Sequence, residues 1–106
     1  MAEAQKHDVF QAVADPSRRK ILQLLTEKNM PVAKITGHFS MSRTAVSKHL
    51  RILAEAELVE SEKFGRETHY RLQPEGLQEL KDWLSYFEQF WDNKLEKLRC
   101  ILEDED

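Results

Sequence analysis

The chain has 106 residues, a single cysteine and a net charge of −3 at neutral pH, with 33% of its residues charged and 41% hydrophobic. That length suits one domain over residues 1–106 with one modest core, and no apolar run approaches the roughly 20 residues that a spanning helix needs, so no membrane partner is expected. With Cys100 alone an internal disulfide is excluded, and the opening MAEAQKHDVF lacks the apolar core of a signal peptide; both point to a reducing cytoplasm.

The net charge hides a division along the chain. Residues 15–71 hold eleven Lys and Arg against seven Asp and Glu, whereas residues 75–106 hold four against ten. Binding to phosphate depends on the local field of a surface, so the basic stretch is a candidate for nucleic-acid contact and the acidic one is not.

A first short helix is expected over Lys6–Ala14, with Val9, Phe10 and Val13 on one face. Asp15-Pro16 then starts a second, with Asp15 as N-cap and Pro16 where its missing N–H costs nothing. Ile21, Leu22, Leu24 and Leu25 give that helix a broad apolar face, and Asn29 ends it near Pro31. Pro31 opens a third, short helix with Val32, Ile35 and Phe39 inward, in which Gly37 costs about 1 kcal/mol relative to alanine. Only Ser40-Met41-Ser42 separates it from a fourth helix, and Ser40 stands where glycine would relax a left-handed backbone more easily. Two helices joined by so short a turn form a helix-turn-helix candidate.

The fourth helix, within Met41–Leu53, carries the most information. Ser42 sits at the N-cap, and Val46, Leu50 and Leu53 recur at i, i+4 and i+7 as a buried stripe. The opposite face carries Arg43, Thr44, Ser47, Lys48 and Arg51, with no acid among them. A basic, hydroxyl-rich face with small side chains near the helix start suits a DNA major groove. Read alone, it is also compatible with an ordinary solvated face.

Beyond Glu57 the periodicity shortens. Leu58–Phe64 and Glu67–Leu72 are β-prone runs flanking Gly65-Arg66, a hairpin whose tip bears Lys63 and Arg66. A hairpin after a helix-turn-helix makes a winged helix. The fold expected is mainly α (α+β), in the order α-α-α-α-β-β-α, with residues 8–72 as the DNA-binding core.

After Pro74 a last helix is expected from about Glu75 to Leu102, within a dimerisation segment of residues 75–103. Its length of about 42 Å exceeds what one small domain covers. Leu77, Leu80, Leu84, Phe87, Trp91, Leu95, Leu98 and Leu102 repeat in steps of three and four, a coiled-coil-like seam widened by Trp83, Tyr86 and Phe90. A second copy of the chain is the simplest cover. The expected dimer interface comprises Leu80, Trp83, Leu84, Phe87, Trp91, Leu95 and Leu98, joined by Phe10 from the first helix. An aromatic pocket for a small ligand is the alternative.

An enzyme is not expected. Gly37, Gly65 and Gly76 are scattered singly, and no oriented nucleophile, metal constellation or phosphate loop is present. Cys100, with Lys97 and Arg99 nearby, leaves a redox switch as a minor alternative.

The ordered segments DPSRRKILQLL, SRTAVSKHLRIL and AELVESEKFGRETHYRL resemble the arsenic-repressor-like (ArsR/SmtB) winged-helix transcription factors, over roughly residues 8–72. Asp15, Pro16 and Arg18 match the start of the family's second helix. Ser42, Ser47, His49 and Leu50 match its recognition helix, and Gly65, Arg66 and Tyr70 its wing. The resemblance implies a homodimeric repressor on double-stranded DNA, at an inverted-repeat operator, with contacts from the fourth helix and the wing. Arg43 and Lys48 suit guanine edges, Thr44 and Ser47 suit bases or phosphates, and Ser42 caps the helix and meets phosphate at its positive end. Arg51, Lys63 and Arg66 suit phosphates. His49 is open between DNA contact and a packing or capping role.

The chain departs from the metal sensors of that family. Where thiolate sensors carry Cys-x-Cys, it has Val32-Ala33-Lys34-Ile35, and residues 75–106 contain no histidine. His7, His38, His49 and His69 fall on separate elements, so no metal site and no cofactor are expected. The type implied is a metal-independent repressor whose small-molecule effector, if any, the sequence does not name. The rivals are a winged helix that binds protein and a metal- or redox-responsive repressor.

Overall fold

Asp8 and Gln11 start the first helix by capping each other's backbone: the Asp8 carboxylate accepts from Gln11 N–H at 2.7 Å, and the Gln11 side chain accepts from Asp8 N–H at 3.0 Å. The computed structural model describes residues 7–103, so the expected start at Lys6 lies outside the described residues. Helix α1 is Val9–Ala12 and stops short of Ala14. Asp15 is extended (φ −97°, ψ 130°) as the residue before Pro16 must be, which ends the helical backbone early. The Asp15 carboxylate caps α2 (Pro16–Leu25) by accepting from Arg18 N–H at 3.0 Å. That helix closes at Leu25, before Asn29, because Thr26 tightens the last turn through N–H and hydroxyl bonds to Gln23 O.

A short strand, β1 (Met30–Pro31), lies where only the mouth of a helix was expected. Proline fits there because an edge strand does not need its N–H. Helix α3 is Val32–Thr36, with Pro31 as its N-cap residue. Gly37 stands at its C-cap and not inside it. Two further turns, His38 N–H to Ile35 O and Phe39 N–H to Thr36 O, lengthen the connection to residues 37–42, twice the three-residue turn expected. Among the described residues only Glu57 and Gly65 have positive φ, so Ser40 carries no left-handed strain.

Helix α4 spans Arg43–Glu55, and the Ser42 hydroxyl accepts from Ala45 N–H at 3.1 Å as expected of the cap. Val46, Leu50 and Leu53 are sealed in one core with Ile21, Ile35, Leu58 and Val59. Each such side chain contributes about 1.5–3 kcal/mol by leaving water. The helix ends in a Schellman arrangement: Leu58 N–H bonds to Leu53 O and Glu57 N–H to Ala54 O, with Glu57 at φ 63° in the position glycine usually holds.

Strands β2 (Val59–Phe64) and β3 (Glu67–Leu72) form the hairpin. Phe64 pairs with Glu67, so Gly65-Arg66 alone make the turn. With φ 65° at Gly65 and no positive φ at Arg66, it has the pattern of a type II′ turn. The β1 strand pairs with β3 through Met30↔Tyr70 and Pro31↔His69, giving a three-stranded antiparallel sheet in the order β1-β3-β2.

The chain then passes back under α4. Pro74–Leu77 form a 3₁₀ turn, and Gly76 lies so close to the Glu57 carbonyl that an added Cβ would stand 2.1 Å from its oxygen. The single last helix expected from the leucine repeat is two helices, α5 (Gln78–Ser85) and α6 (Glu88–Glu103). At the break Tyr86 N–H bonds to Trp83 O and Phe87 N–H to Leu84 O, an i−3 pattern. The Ser85 hydroxyl donates to Lys81 O at 3.0 Å, a back-bond that bends helices. Leu77 and Leu80 pack half-buried on the core, whereas α6 leaves it, and the molecule measures 66 × 37 × 22 Å.

Candidate nucleic-acid interface

The core stripe of α4 faces α2 and α3, which turns its other face outward. Arg43, Thr44, Ser47, Lys48 and Arg51 are all exposed on that face, as is Ser42 at its start. Among the described residues no ion pair engages Arg43, Lys48, Arg51, Lys63 or Arg66. Their charges are therefore uncompensated by carboxylates within bonding distance. Their field is available to an approaching polyanion.

The wing brings a second cationic group to the same side. Arg66 from the hairpin tip and Arg43 from the first turn of α4 border one cleft, which Val32, Ala33, Glu67 and Thr68 also line. The cross-strand register sorts the rest of the wing by face. Lys63 and Thr68 share the face of Ser61, Tyr70, Val59 and Leu72, while Glu60, Glu62 and Glu67 share the other with Phe64, His69 and Arg71. On that outer face Arg71 donates to Glu60 at 2.7 Å and His69 pairs with Glu67 at 2.9 Å. The Phe64 and His69 rings meet edge to face at 4.8 Å. Two of the three carboxylates on that face, Glu60 and Glu67, are thus paired.

His49 is placed differently from its neighbours on α4. It is half-buried, and its Nδ1 lies 3.3 Å from Arg18 Nη1. A guanidinium only donates, so Nδ1 accepts and the ring proton sits on Nε2. Asp15 completes the corner. Burial raises its carboxyl, but hydrogen bonds from the backbone N–H groups of Arg18 and Ser17 and the charge of Arg18 outweigh this and leave it below the usual carboxylate value.

Two contacts, one of them at the turn, were not legible in the sequence. Lys20 Nζ donates to His38 O at 3.0 Å and lies over the Phe39 ring, 4.8 Å from its centroid. His7 Nδ1 meets Glu55 Oε1 at 2.9 Å, tying the start of α1 to the end of α4. Neither pair has a local sequence signal; each joins a helix residue to a non-helical residue far from it in the chain.

The residues expected at an interface between copies separate into two groups. Phe10, Trp83 and Phe87 form an edge-to-face chain, with centroids 5.6 and 5.1 Å apart, and Leu80 packs on the core. Leu84, Trp91, Leu95 and Leu98 remain about half exposed, and Tyr86, Ile101 and Leu102 extend that apolar surface. Cys100 is exposed on α6. Among the described residues no helix is long and apolar enough to cross a membrane.

Comparisons with known proteins agree with this geometry. The family model described as bacterial regulatory protein, arsR family, matches residues 15–61, from the cap of α2 into β2. The transcriptional repressor SdpR of Bacillus subtilis is 38% identical over 89 residues, which cover 84% of this chain and 99% of that protein. The transcriptional regulator Rv2034 of Mycobacterium tuberculosis is 33% identical, over 91% of this chain and 87% of its own length. A crystal structure described as a possible transcriptional regulator for arsenical resistance superposes with a TM-score of 0.71 at 41% identity, over 89% of this chain and 95% of that one. An exposed basic helix flanked by a hairpin, on a sequence alike over most of its length to these regulators, has one reading: the chain belongs to the ArsR family of winged helix-turn-helix, DNA-binding transcriptional regulators, and is not an enzyme.

Proposed function

We propose that the chain acts in the cytoplasm as a homodimeric repressor that reads an inverted-repeat operator and has no dedicated metal site. The observation that carries this reading is the acid-free outer face of α4, with Arg43, Thr44, Ser47, Lys48 and Arg51 exposed beside the wing. Arg43 and Lys48 read guanine edges, Thr44 and Ser47 contact bases or phosphates, and Ser42, Arg51, Lys63 and Arg66 hold the backbone in register. The uncovered apolar face of α5 and α6 supports a second copy, with Phe10 and Trp83 at its inner end. Val32-Ala33-Lys34-Ile35 in place of a Cys-x-Cys pair, and a histidine-free segment 75–106, support control by something other than a metal.

Selection of bound duplexes from a random DNA pool tests the reading. The expected product is an inverted repeat whose half-site centres lie about 34–36 Å apart. Arg43→Ala should lose roughly 1–3 kcal/mol on the selected site and relax the choice of base at one position. A pool that yields no enriched sequence would overturn the proposal.

A further inference from the structure

Arg18 does more than occupy the first turn of α2. Its Nε donates to Ala12 O at 2.8 Å and its Nη2 to Gln11 O at 3.2 Å, two carbonyls at the end of α1. Its Nη1 reaches His49 Nδ1 on the recognition helix, and its backbone N–H is held by Asp15. Arg19 adds a bond to Val13 O at 2.7 Å. A one-turn helix such as α1 cannot hold itself in water, so its end is defined by these guanidinium groups. Its other side carries Phe10, stacked on Trp83 of α5. A continuous path of contacts therefore runs from α5 through Phe10, α1 and Arg18 to His49.

We propose that Arg18 is a positioning residue that, through His49, fixes the angle of the recognition helix to α1 and so sets the distance between the two recognition helices of a dimer. His49 serves this latch from the inner side of α4 and leaves base reading to its neighbours. The chemistry demands a forked donor at 18 and an acceptor at 49. Lysine at 18 cannot reach three acceptors from one flexible point. Glutamine at 49 keeps an acceptor, whereas leucine keeps bulk alone. The inference rests on the dimeric DNA-binding reading, and its test separates the two.

The experiment uses the full chain, the operator selected from a random pool, and versions of that operator with the half-sites moved by one base pair. Alongside, electron-paramagnetic distance measurement between nitroxides at Ser47→Cys in a Cys100→Ser background reports the separation of the helices without DNA. The wild type should prefer one spacing and show a single narrow distance. Arg18→Lys and His49→Leu should lose roughly two- to thirtyfold of the spacing preference, a range typical of mutations along a coupling path. They should also broaden the distance distribution, while retaining dimers by sedimentation and binding to a random duplex. His49→Gln should restore both readouts. Unchanged spacing preference and distance in Arg18→Lys would overturn the latch, as would a His49→Gln variant no better than His49→Leu. A wild type without dimers or without operator preference would overturn the functional reading first, and the latch with it.

Discussion

Helices α4 and α6 each place an apolar residue every three or four positions, yet Val46, Leu50 and Leu53 of α4 are sealed inside the chain, whereas Trp91, Leu95 and Leu98 of α6 are 56%, 63% and 52% exposed. The periodicity is the same; the cover is not. A stripe states only that a helix must be covered. Where α2, α3 and the sheet can fold back over α4, the cover comes from within. The 16 residues of α6 run about 24 Å away from the last core contact. The break at Ser85–Phe87 marks the border between the two regimes, with Leu77 and Leu80 on the core side and Trp91 onward beyond it.

Substitutions on the two stripes should separate them. Trp91→Glu places a charge in the proposed interface and should weaken dimers by at least roughly thirtyfold in sedimentation, while the monomer still unfolds cooperatively. Dimers that survive it would break the contrast. Leu50→Ala should do the reverse, costing about 2–5 kcal/mol in urea denaturation through a cavity in the core. Gly76→Ala should cost about 1–3 kcal/mol, since its Cβ meets the Glu57 backbone and the 3₁₀ turn must shift. A neutral result would show that the return under α4 is loose.

The smallest effect is at Asp15. Its carboxyl is depressed in the folded chain, so it contributes stability that is present above the unfolded value of 3.8 and is lost as pH falls through the lower folded value. Asp15→Asn keeps a capping oxygen and removes the charge. Its deficit against wild type should be visible near neutral pH and should close in acid below 3.8; a deficit constant with pH would assign the effect to the cap alone.

What the sequence disclosed was local. Ser42, Asp15-Pro16 and Gly65 act on the backbone within three or four residues, so the starts of α2 and α4 and the hairpin turn were legible, as was the outer face of α4 with its cations. What it withheld needed a distant partner. Pro31 belongs to a strand only because Tyr70 and His69 lie beside it. The break after Ser85 falls within an unbroken leucine repeat, accompanied by a hydroxyl back-bond and two i−3 backbone bonds. The inward turn of His49 depends on Arg18, 31 residues earlier. Gly76 carries no turn signal of its own; what forbids a side chain there is the carbonyl of Glu57.

The register of the wing imposes a parity on its evolution. Successive strand residues alternate between faces, so one residue inserted between Val59 and Lys63 would exchange the two sides of the blade. Glu60 and Glu62 would then stand where Ser61 and Lys63 now face, bringing negative charge to the side of the blade that carries Tyr70 and Thr68. Two inserted residues would lengthen the blade and preserve its handedness of charge. Homologous wings built on this frame should therefore vary in length by even steps in the strands, and absorb odd ones only in the loop at the tip.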